Sequence, residues 1–321
     1  MNNMTAASAL EDASGFSIPT PMGKALQDRL ESWVQCGHTG GLIVGEARLG
    51  KTRALEAIGD KLTNRSGQPI HAFYTHYGQR DVETVRAVFA KVARALGFAV
   101  RRQIADALLD LIVMRLAEAS LSNDTRQVVL MVDEAQLLSL GQLGAFAEIY
   151  NELSRLRVNC VVFFVANQDQ FEPLGRALLL RENRYLLERF FNNLDYFFGI
   201  RSETELAECL KGYDQYVVSQ STQQTATEYF CPDLFNQGWR LAHLAPVYWR
   251  RFRQDYGIPL ELTSWGMAQF VRATNILVMD YLSCCGDSRD EAIQEACVIK
   301  SLKASGIKPS LVQLVGRASQ G

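Results

Sequence analysis

The chain has 321 residues, of which 48% are hydrophobic and 21% are charged, and its formal net charge is −2. This composition excludes a disordered tail and a small disulfide-stapled scaffold, and it suffices for one large domain or two smaller ones. A net charge near zero gives no global attraction to nucleic acid, so such binding would need a local basic patch. The seven cysteines lack Cys-x-x-Cys and zinc spacing, which predicts reduced thiols in a cytoplasmic protein and no metal site built from cysteine.

The first segment, residues 1–21, is rich in Ala, Ser and Asn and shows no sustained period, which predicts a flexible lead-in. It has no basic stretch followed by a long apolar core, and no apolar run in the chain approaches the ~20 residues of a spanning helix. We therefore expect neither secretion nor a membrane partner.

Short β-branched or aromatic runs then alternate with stretches of helical period. The five runs are "GLIV" (41–44), "IHAFYT" (70–75), "VVLMV" (128–132), "VNCVVFFVA" (158–166) and "LDYFFGI" (194–200). This alternation predicts an α/β domain over residues 22–201, with a five-stranded parallel sheet flanked by helices. No strand is predicted after Ser202, so residues 202–321 are expected to form an all-α lid and C-terminal extension.

The segment "GEARLGKT" matches the phosphate-loop pattern G-x-x-x-x-G-K-[ST], with a predicted strand before it and a predicted helix after it. Glycines let the loop backbone turn its N–H groups toward phosphate oxygens, Lys51 can reach the β- and γ-phosphates, and the Thr52 hydroxyl can bind Mg²⁺. The alternative is a plain glycine turn. The residues predicted to contact nucleotide here are Gly45, Glu46, Ala47, Arg48, Leu49, Gly50, Lys51, Thr52 and Arg53.

A second motif follows in "VVLMVDEAQ", where an apolar strand ends in the acidic residues Asp133 and Glu134. Ligands bind at the carboxyl ends of parallel strands, so Asp133 is expected to hold Mg²⁺ through water and Glu134 to activate the attacking water. Asn167 ends the next apolar run and is expected to orient that water, although a turn-forming Asn is the alternative. Because no base-reading "NKxD" segment occurs, ATP is the predicted nucleotide rather than GTP.

The segment "RENRYLLERFF" carries three arginines before the last predicted strand. Arg189 is a candidate arginine finger that reaches the γ-phosphate of a neighbouring subunit, and a solvated helix face is the alternative. Arg184 is the next candidate.

Taken in order, "GEARLGKT", "VVLMVDEAQLL", "VVFFVANQDQF" and "LLERFF" resemble the AAA+ ATPases, and more narrowly the TnsC/TniB-type transposition regulators. The resemblance covers roughly residues 22–250, and the C-terminal segment is similar to the short TnsC proteins of CRISPR-associated Tn7-like transposons. It implies a bacterial, cytoplasmic ATPase that uses ATP and Mg²⁺, with Asn167 as sensor and Arg189 as finger. The family's lid usually supplies a second sensing arginine; Arg240 in "GWRLAHL" is one candidate, and Arg250 or Arg251 are the others.

This resemblance also implies partners. They are double-stranded DNA, further copies of the chain in a ring or helical filament, a TniQ-type targeting protein, the transposase TnsB and, in some systems, TnsA. The implied function is an ATP-dependent oligomeric regulator that links target-site selection to the transposase, with hydrolysis as the assembly switch.

The stretch from Arg86 to Arg102 contains five basic residues and no acid. Lys and Arg contacts to phosphates give sequence-independent DNA affinity, which suits a protein that accepts many targets. A solvated basic helix face is the alternative. The residues predicted to bind DNA are Arg80, Lys91, Arg94, Arg101 and Arg102, whereas the aromatic residues of "VYWRRFR" are expected to pack inside the helical lid.

Two other functions fit the same motifs. A motor or helicase-loader ATPase would remodel a protein partner, although no obvious aromatic pore-loop motif is present. A signalling scaffold would use ATP without touching DNA. Salt-dependent, sequence-independent duplex binding that requires ATP separates the favoured function from the scaffold.

Overall fold

A computed structural model of the chain describes residues 9–10, 16–78, 84–219, 221–285 and 289–307. They divide into two compact units. The first, here called the sheet unit, comprises residues 23–47 and 51–197. The second, the helical unit, contains residues 198–307, together with residues up to Met22 and the loop tip Arg48–Gly50. Within the described residues, no helix is long and apolar enough to cross a membrane.

The sheet unit is built on a parallel sheet of five strands in the order β2-β3-β4-β1-β5. The strands are β1 (Gly40–Gly45), β2 (Ala72–His76), β3 (Gln127–Asp133), β4 (Asn159–Asn167) and β5 (Leu194–Tyr196). The predicted five-stranded parallel sheet is therefore confirmed. The last predicted run, 194–200, is a strand for three residues only, because β5 ends at Tyr196.

Helices cover this sheet and connect its strands. They are α1 (Pro21–Gln35), α2 (Lys51–Ile58), α3 (Val85–Ala95), α4 (Ala105–Ala119), α5 (Leu140–Arg155), α6 (Gln168–Leu178) and α7 (Arg184–Phe190). The apolar residues of β1, β3 and β4 are almost completely buried, as expected for strands covered on both faces.

Close packing at two places fixes the strand ends that matter for the site. Gly41 in β1 lies against the Trp33 ring, which a Cβ at that position would approach to 2.4 Å, so α1 can pack on the strand only over a glycine. On β4, Phe164 stacks on Phe191 with ring centroids 4.9 Å apart and meets Phe146 edge-on at 5.4 Å. These aromatic contacts fix α5 and the end of α7 against the strand that ends in Asn167.

The helical unit contains α8 (Glu203–Gln215), α9 (Ala226–Phe230), α10 (Pro232–Asn236), α11 (Ala245–Phe252), α12 (Met267–Ile276) and α13 (Glu291–Ala304). Its core includes Phe252 stacked on Trp265, with ring centroids 4.2 Å apart, and the fully buried Tyr248. The expectation that Tyr248 and Phe252 are packing residues is confirmed.

Three features of the structure differ from the sequence predictions. An antiparallel pair, β6 (Val217–Ser219) and β7 (Gln224–Thr225), lies after Ser202, where no strand was predicted. Strands of two or three residues are too short to show a period. Within the lead-in predicted to be flexible, Leu10 is 2% exposed and Phe16 is 8% exposed, because both pack in the helical unit. The boundary between the units also falls at Phe197 rather than after residue 201.

Candidate active site

The phosphate loop connects the end of β1 to the start of α2. Gly50 has φ +101°, a left-handed conformation that favours glycine, and Arg48 has φ 64°. The Lys51 ammonium donates to the carbonyl oxygens of Gly45 at 2.7 Å and Glu46 at 2.6 Å. Lysine has three N–H donors, so one remains after these two bonds hold the side chain along the loop. Leu49 is buried, and Arg53 pairs with Glu56 at 3.2 Å on the surface of α2.

Burial of Lys51 also affects its charge. The side chain is 9% exposed, and burial lowers the pKa of its ammonium group. The negative charges of Asp133 and Glu134 act in the opposite direction and favour the charged form. A buried cation faced by fixed acids at a loop of backbone N–H groups is suited to an anionic ligand that carries its own cation, such as a magnesium-bound phosphate.

Asp133 joins the phosphate loop to the third strand. The Thr52 hydroxyl donates to Asp133 Oδ2 at 2.7 Å, and the backbone N–H of Glu134 donates to Oδ1 at 2.9 Å. The Tyr74 hydroxyl, at the end of β2, donates to the same Oδ2 at 2.6 Å. His76 Nδ1 lies 3.8 Å from this oxygen. Asp133 is 1% exposed, so these donors offset the cost of burying its carboxylate.

Tyr74 was not among the residues predicted from the sequence. Burial raises the pKa of its hydroxyl, and its hydrogen bond to Asp133 raises that pKa further. Tyr74 therefore stays protonated and remains a hydrogen-bond donor to Asp133 throughout the ordinary pH range. Its place follows from the pairing of β2 with β3, which sets His76 opposite Asp133.

The oxygen atoms of Thr52 and Asp133 fit the ligand preference of Mg²⁺. Among the described residues, no group of three or more His, Cys, Asp or Glu side chains is arranged to hold a metal by itself. Mg²⁺ is usually bound through one or two protein oxygens together with substrate phosphates and water.

Glu134 and Asn167 lie at the ends of neighbouring strands, because β3 pairs with β4. Asn167 Oδ1 accepts a hydrogen bond from the backbone N–H of Asp169 at 3.2 Å and caps α6. Glu134 has a left-handed backbone, with φ 59° and ψ 39°, and a short helical turn begins directly after it.

Gln136 lies on that turn and contacts both predicted residues. Its Oε1 accepts from the backbone N–H of Asn167 at 3.0 Å, and its Nε2 donates to Glu134 Oε2. The same Nε2 group reaches Gln170 Oε1 at 3.3 Å. The sequence "DEAQ" contains this glutamine, but nothing local in it shows that the side chain reaches the end of β4.

Arg189 lies on α7, where its guanidinium carbon is 4.9 Å from the centre of the Tyr150 ring. The Thr39 hydroxyl donates to the Arg189 carbonyl oxygen, which anchors this end of α7 beside β1. Arg184 pairs with Glu188 at 2.7 Å and is exposed. Arg189 is thus half-buried on an aromatic face, and its role as a finger stays a prediction.

The predicted DNA-binding residues differ in their surroundings. Lys91 donates to the carbonyl oxygen of His76. Arg94, Arg101 and Arg102 are exposed, and Arg80 lies outside the described residues. Arg86 donates to the carbonyl oxygens of Gln103 at 2.8 Å and Arg101 at 3.4 Å, and so braces the loop that carries the two exposed arginines.

The three candidates for a second sensing arginine all have partners inside the helical unit. The Arg240 guanidinium lies 3.8 Å from the Phe235 ring centre and donates to the carbonyl oxygens of Phe235 at 3.1 Å and Trp239 at 2.7 Å. Arg250 and Arg251 share Glu295, at 2.7 Å and 2.6 Å. The nucleotide contact of Arg240 stays a prediction.

Comparisons with known proteins agree with this geometry. Residues 36–173 match the family model described as an AAA domain. No curated protein sequence matches the chain significantly. The structure of the Aeropyrum pernix ORC2 protein is 12% identical over 96% of this chain and 74% of that one, with a TM-score of 0.61.

Two other structures match more loosely. Cdc6p from Pyrobaculum aerophilum is 16% identical over 98% of this chain and 88% of that one, with a TM-score of 0.43. The Escherichia coli MS115-1 HORMA:CdnC:Trip13 complex gives 12% identity over 95% of this chain and 86% of that one, with a TM-score of 0.47.

The strand order, the phosphate loop after β1 and the acidic end of β3 define a P-loop ATPase with the AAA+ fold. The likeness to ORC2 is a likeness of fold, at 12% identity.

Proposed function

We propose that the chain binds ATP with Mg²⁺ and hydrolyses it at the carboxyl ends of β1, β3 and β4. The observation that carries the proposal is the 2.7 Å hydrogen bond from Thr52 to Asp133, which joins the phosphate loop to the acidic strand end. The structure of Aeropyrum pernix ORC2 contains ADPNP and ADP. We propose the same ligand class, an adenine nucleotide, for this chain.

Each residue has a distinct part in this proposal. Lys51 would donate to phosphate oxygens, and Thr52 and Asp133 would hold Mg²⁺ with their side-chain oxygens. Mg²⁺ would neutralise charge on the β- and γ-phosphates. Glu134 accepts a proton from the attacking water, and the Asn167 amide orients that water. The Glu134→Gln variant should bind ATP with wild-type affinity and lose turnover, and wild-type turnover in that variant would disprove the assignment.

We propose that the nucleotide lies between subunits of a homo-oligomer, with Arg189 supplied by the neighbour. The support is the placement of Arg189 at the end of α7, beside β1. Arg189→Ala and Lys51→Ala should each lack turnover, and their mixture should recover part of it, because one variant supplies the loop and the other the finger. No recovery at any mixing ratio would make Arg189 an ordinary surface residue, and Arg184 would be tested next.

We propose that the assembled protein binds duplex DNA through the exposed arginines of the α3–α4 region. Arg94, Arg101 and Arg102 are exposed, and Arg86 holds the loop between α3 and α4 in place. Neutralising Arg101 and Arg102 should weaken binding equally for all sequences and lower the salt slope by about 0.9 for each phosphate that the protein no longer neutralises.

A matched control uses Arg65 and Arg157, two exposed arginines of the same unit outside this stretch. Their double neutralisation makes the same change in net charge and should leave the salt slope unchanged. Equal effects of the two double variants would mean that net charge, rather than a local surface, governs DNA affinity.

The biological function proposed is an ATP-switched DNA-binding assembly that links a TniQ-type targeting protein to a TnsB-type transposase. It is supported by the resemblance of the ordered motifs to TnsC/TniB proteins. Imaging the protein with duplex DNA and a non-hydrolysable ATP analogue should show rings or filaments around the duplex. ATP-independent association with a protein partner, without DNA binding, would instead support a motor or loader that remodels that partner.

A further inference from the structure

Gln136 connects two groups at the site through one side-chain amide. It lies on the short turn that follows Glu134, and its carboxamide reaches the end of β4. Oε1 accepts from the Asn167 backbone N–H at 3.0 Å, while Nε2 donates to Glu134 Oε2. The turn itself is closed by the backbone N–H of Leu137, which donates to the Glu134 carbonyl oxygen at 3.0 Å.

The orientation of this amide is determined at both ends. A backbone N–H can only donate, so the Gln136 atom that faces Asn167 must be the carbonyl oxygen. An ionised carboxylate can only accept, so the atom that faces Glu134 must be the NH₂ group. Rotation of the amide by half a turn would place two donors together at Asn167 and two acceptors together at Glu134. Gln136 therefore has one stable orientation between its two partners.

We propose that Gln136 is a positioning residue for ATP hydrolysis. It holds the Glu134 carboxylate in a fixed position relative to Asn167 at the end of β4. The inference rests on the proposed roles of Glu134 and Asn167. With Oε2 bound by Gln136, the carboxylate cannot rotate freely, and Oε1 is directed by the same contact. A general base acts only when it is held within hydrogen-bond reach of the water whose proton it accepts.

Two substitutions separate this role from a structural one. Gln136→Met keeps the length of the side chain and removes both hydrogen bonds. Gln136→Glu keeps the length and an oxygen acceptor for the Asn167 N–H, but it replaces the donor to Glu134 with a second carboxylate. If Gln136 only supported the end of β4, the Gln136→Glu variant would retain activity.

The first experiment measures steady-state ATP hydrolysis and the affinity for a fluorescent ATP analogue in the full chain. We expect kcat to fall by about 10- to 100-fold in both variants, the range for loss of one hydrogen bond to a charged group, with nucleotide affinity within about twofold of wild type. Gln170→Ala is the matched control, because it removes the exposed third contact of the same amide and should leave kcat unchanged.

The second experiment combines Gln136→Met with Glu134→Gln. If Gln136 acts through Glu134, the double variant should hydrolyse ATP no more slowly than Glu134→Gln alone in single-turnover assays, because the base is already absent. A further tenfold decrease would show that Gln136 acts independently of Glu134.

The outcomes separate this inference from the proposed function. Wild-type kcat in Gln136→Glu, with Glu134→Gln inactive, overturns the positioning role and leaves the role of Glu134 intact. Wild-type kcat in Glu134→Gln overturns both. A lower kcat in Gln136→Met accompanied by an equal decrease in nucleotide affinity, or by a lower melting temperature than Gln170→Ala, assigns Gln136 to the structure of the loop and overturns the inference.

Discussion

The hydrogen bond from Tyr74 to Asp133 gives a direct test of how the site is stabilised. The Tyr74 hydroxyl donates to Asp133 Oδ2 at 2.6 Å, and the carboxylate is almost completely buried. Tyr74→Phe removes this donor and little volume, since the ring stays in place. Any decrease in stability then comes from the hydrogen bond and not from a cavity.

The size of the decrease in stability depends on the hydrogen bonds that Asp133 retains in the variant. Hydrogen bonds to charged groups contribute about 1.5–3 kcal/mol. Asp133 still accepts from the Thr52 hydroxyl at 2.7 Å and from the Glu134 N–H at 2.9 Å. We therefore expect the lower part of that range, about 1.5–2 kcal/mol. At about 2–4 °C per kcal/mol for a domain of this size, the melting temperature should fall by about 3–8 °C.

The assay is thermal unfolding of the protein without added nucleotide. Tyr185→Phe is the matched control, because Tyr185 is 52% exposed and its hydroxyl should contribute less than about 0.5 kcal/mol. A double-mutant cycle of Tyr74→Phe with Asp133→Ala, which removes the acceptor, isolates the pair. A coupling energy near zero, or a Tyr74→Phe variant as stable as Tyr185→Phe, would refute the reasoning.

Three further predictions follow from other contacts. The stability difference between wild type and Tyr74→Phe should decrease as the pH rises above ~10. The pKa of Tyr74 is raised in the folded state, so its contribution to stability is complete below the unfolded-state pKa and is lost as the pH rises toward the folded-state pKa. A constant difference in urea titrations would contradict this. Lys51→Met should abolish the rise in melting temperature on adding ATP without lowering stability in its absence, because burial already disfavours the charge. Arg240→Ala should destabilise the helical unit by about 1–3 kcal/mol in urea unfolding, since it removes the Phe235 ring contact and two hydrogen bonds, whereas Arg250→Ala should change stability less.

The fold could be predicted largely because its signals are local. β3 and β4 are unbroken apolar runs bounded by polar residues, and β1 runs directly into the phosphate loop. The exceptions are elements whose stability comes from distant contacts. β6 and β7 are too short for any period. Leu10 is buried although its own segment carries no pattern, and its carbonyl oxygen accepts from the distant Asn275 Nδ2 at 2.8 Å.

The site residues also divide into those that local sequence motifs predict and those that depend on distant contacts. Lys51, Asp133 and Glu134 stand in motifs whose spacing is set along the chain, so the sequence is enough to propose them. Tyr74 and Gln136 are 59 and 31 residues from the partners they contact, Asp133 and Asn167. Their contacts depend on which strands are neighbours and in which register, and a single sequence does not specify that.

Hydrogen-bond capacity explains why internal partners matter at this site. Lys51 uses two of its three N–H donors on loop carbonyl oxygens, and Asn167 uses Oδ1 on the Asp169 N–H. Glu134 uses Oε2 on Gln136. These internal hydrogen bonds hold the side chains in fixed positions at the strand ends where the proposed nucleotide and water would bind. Removing an internal partner should therefore lower turnover more than affinity, whereas removing the Lys51 ammonium should lower affinity first.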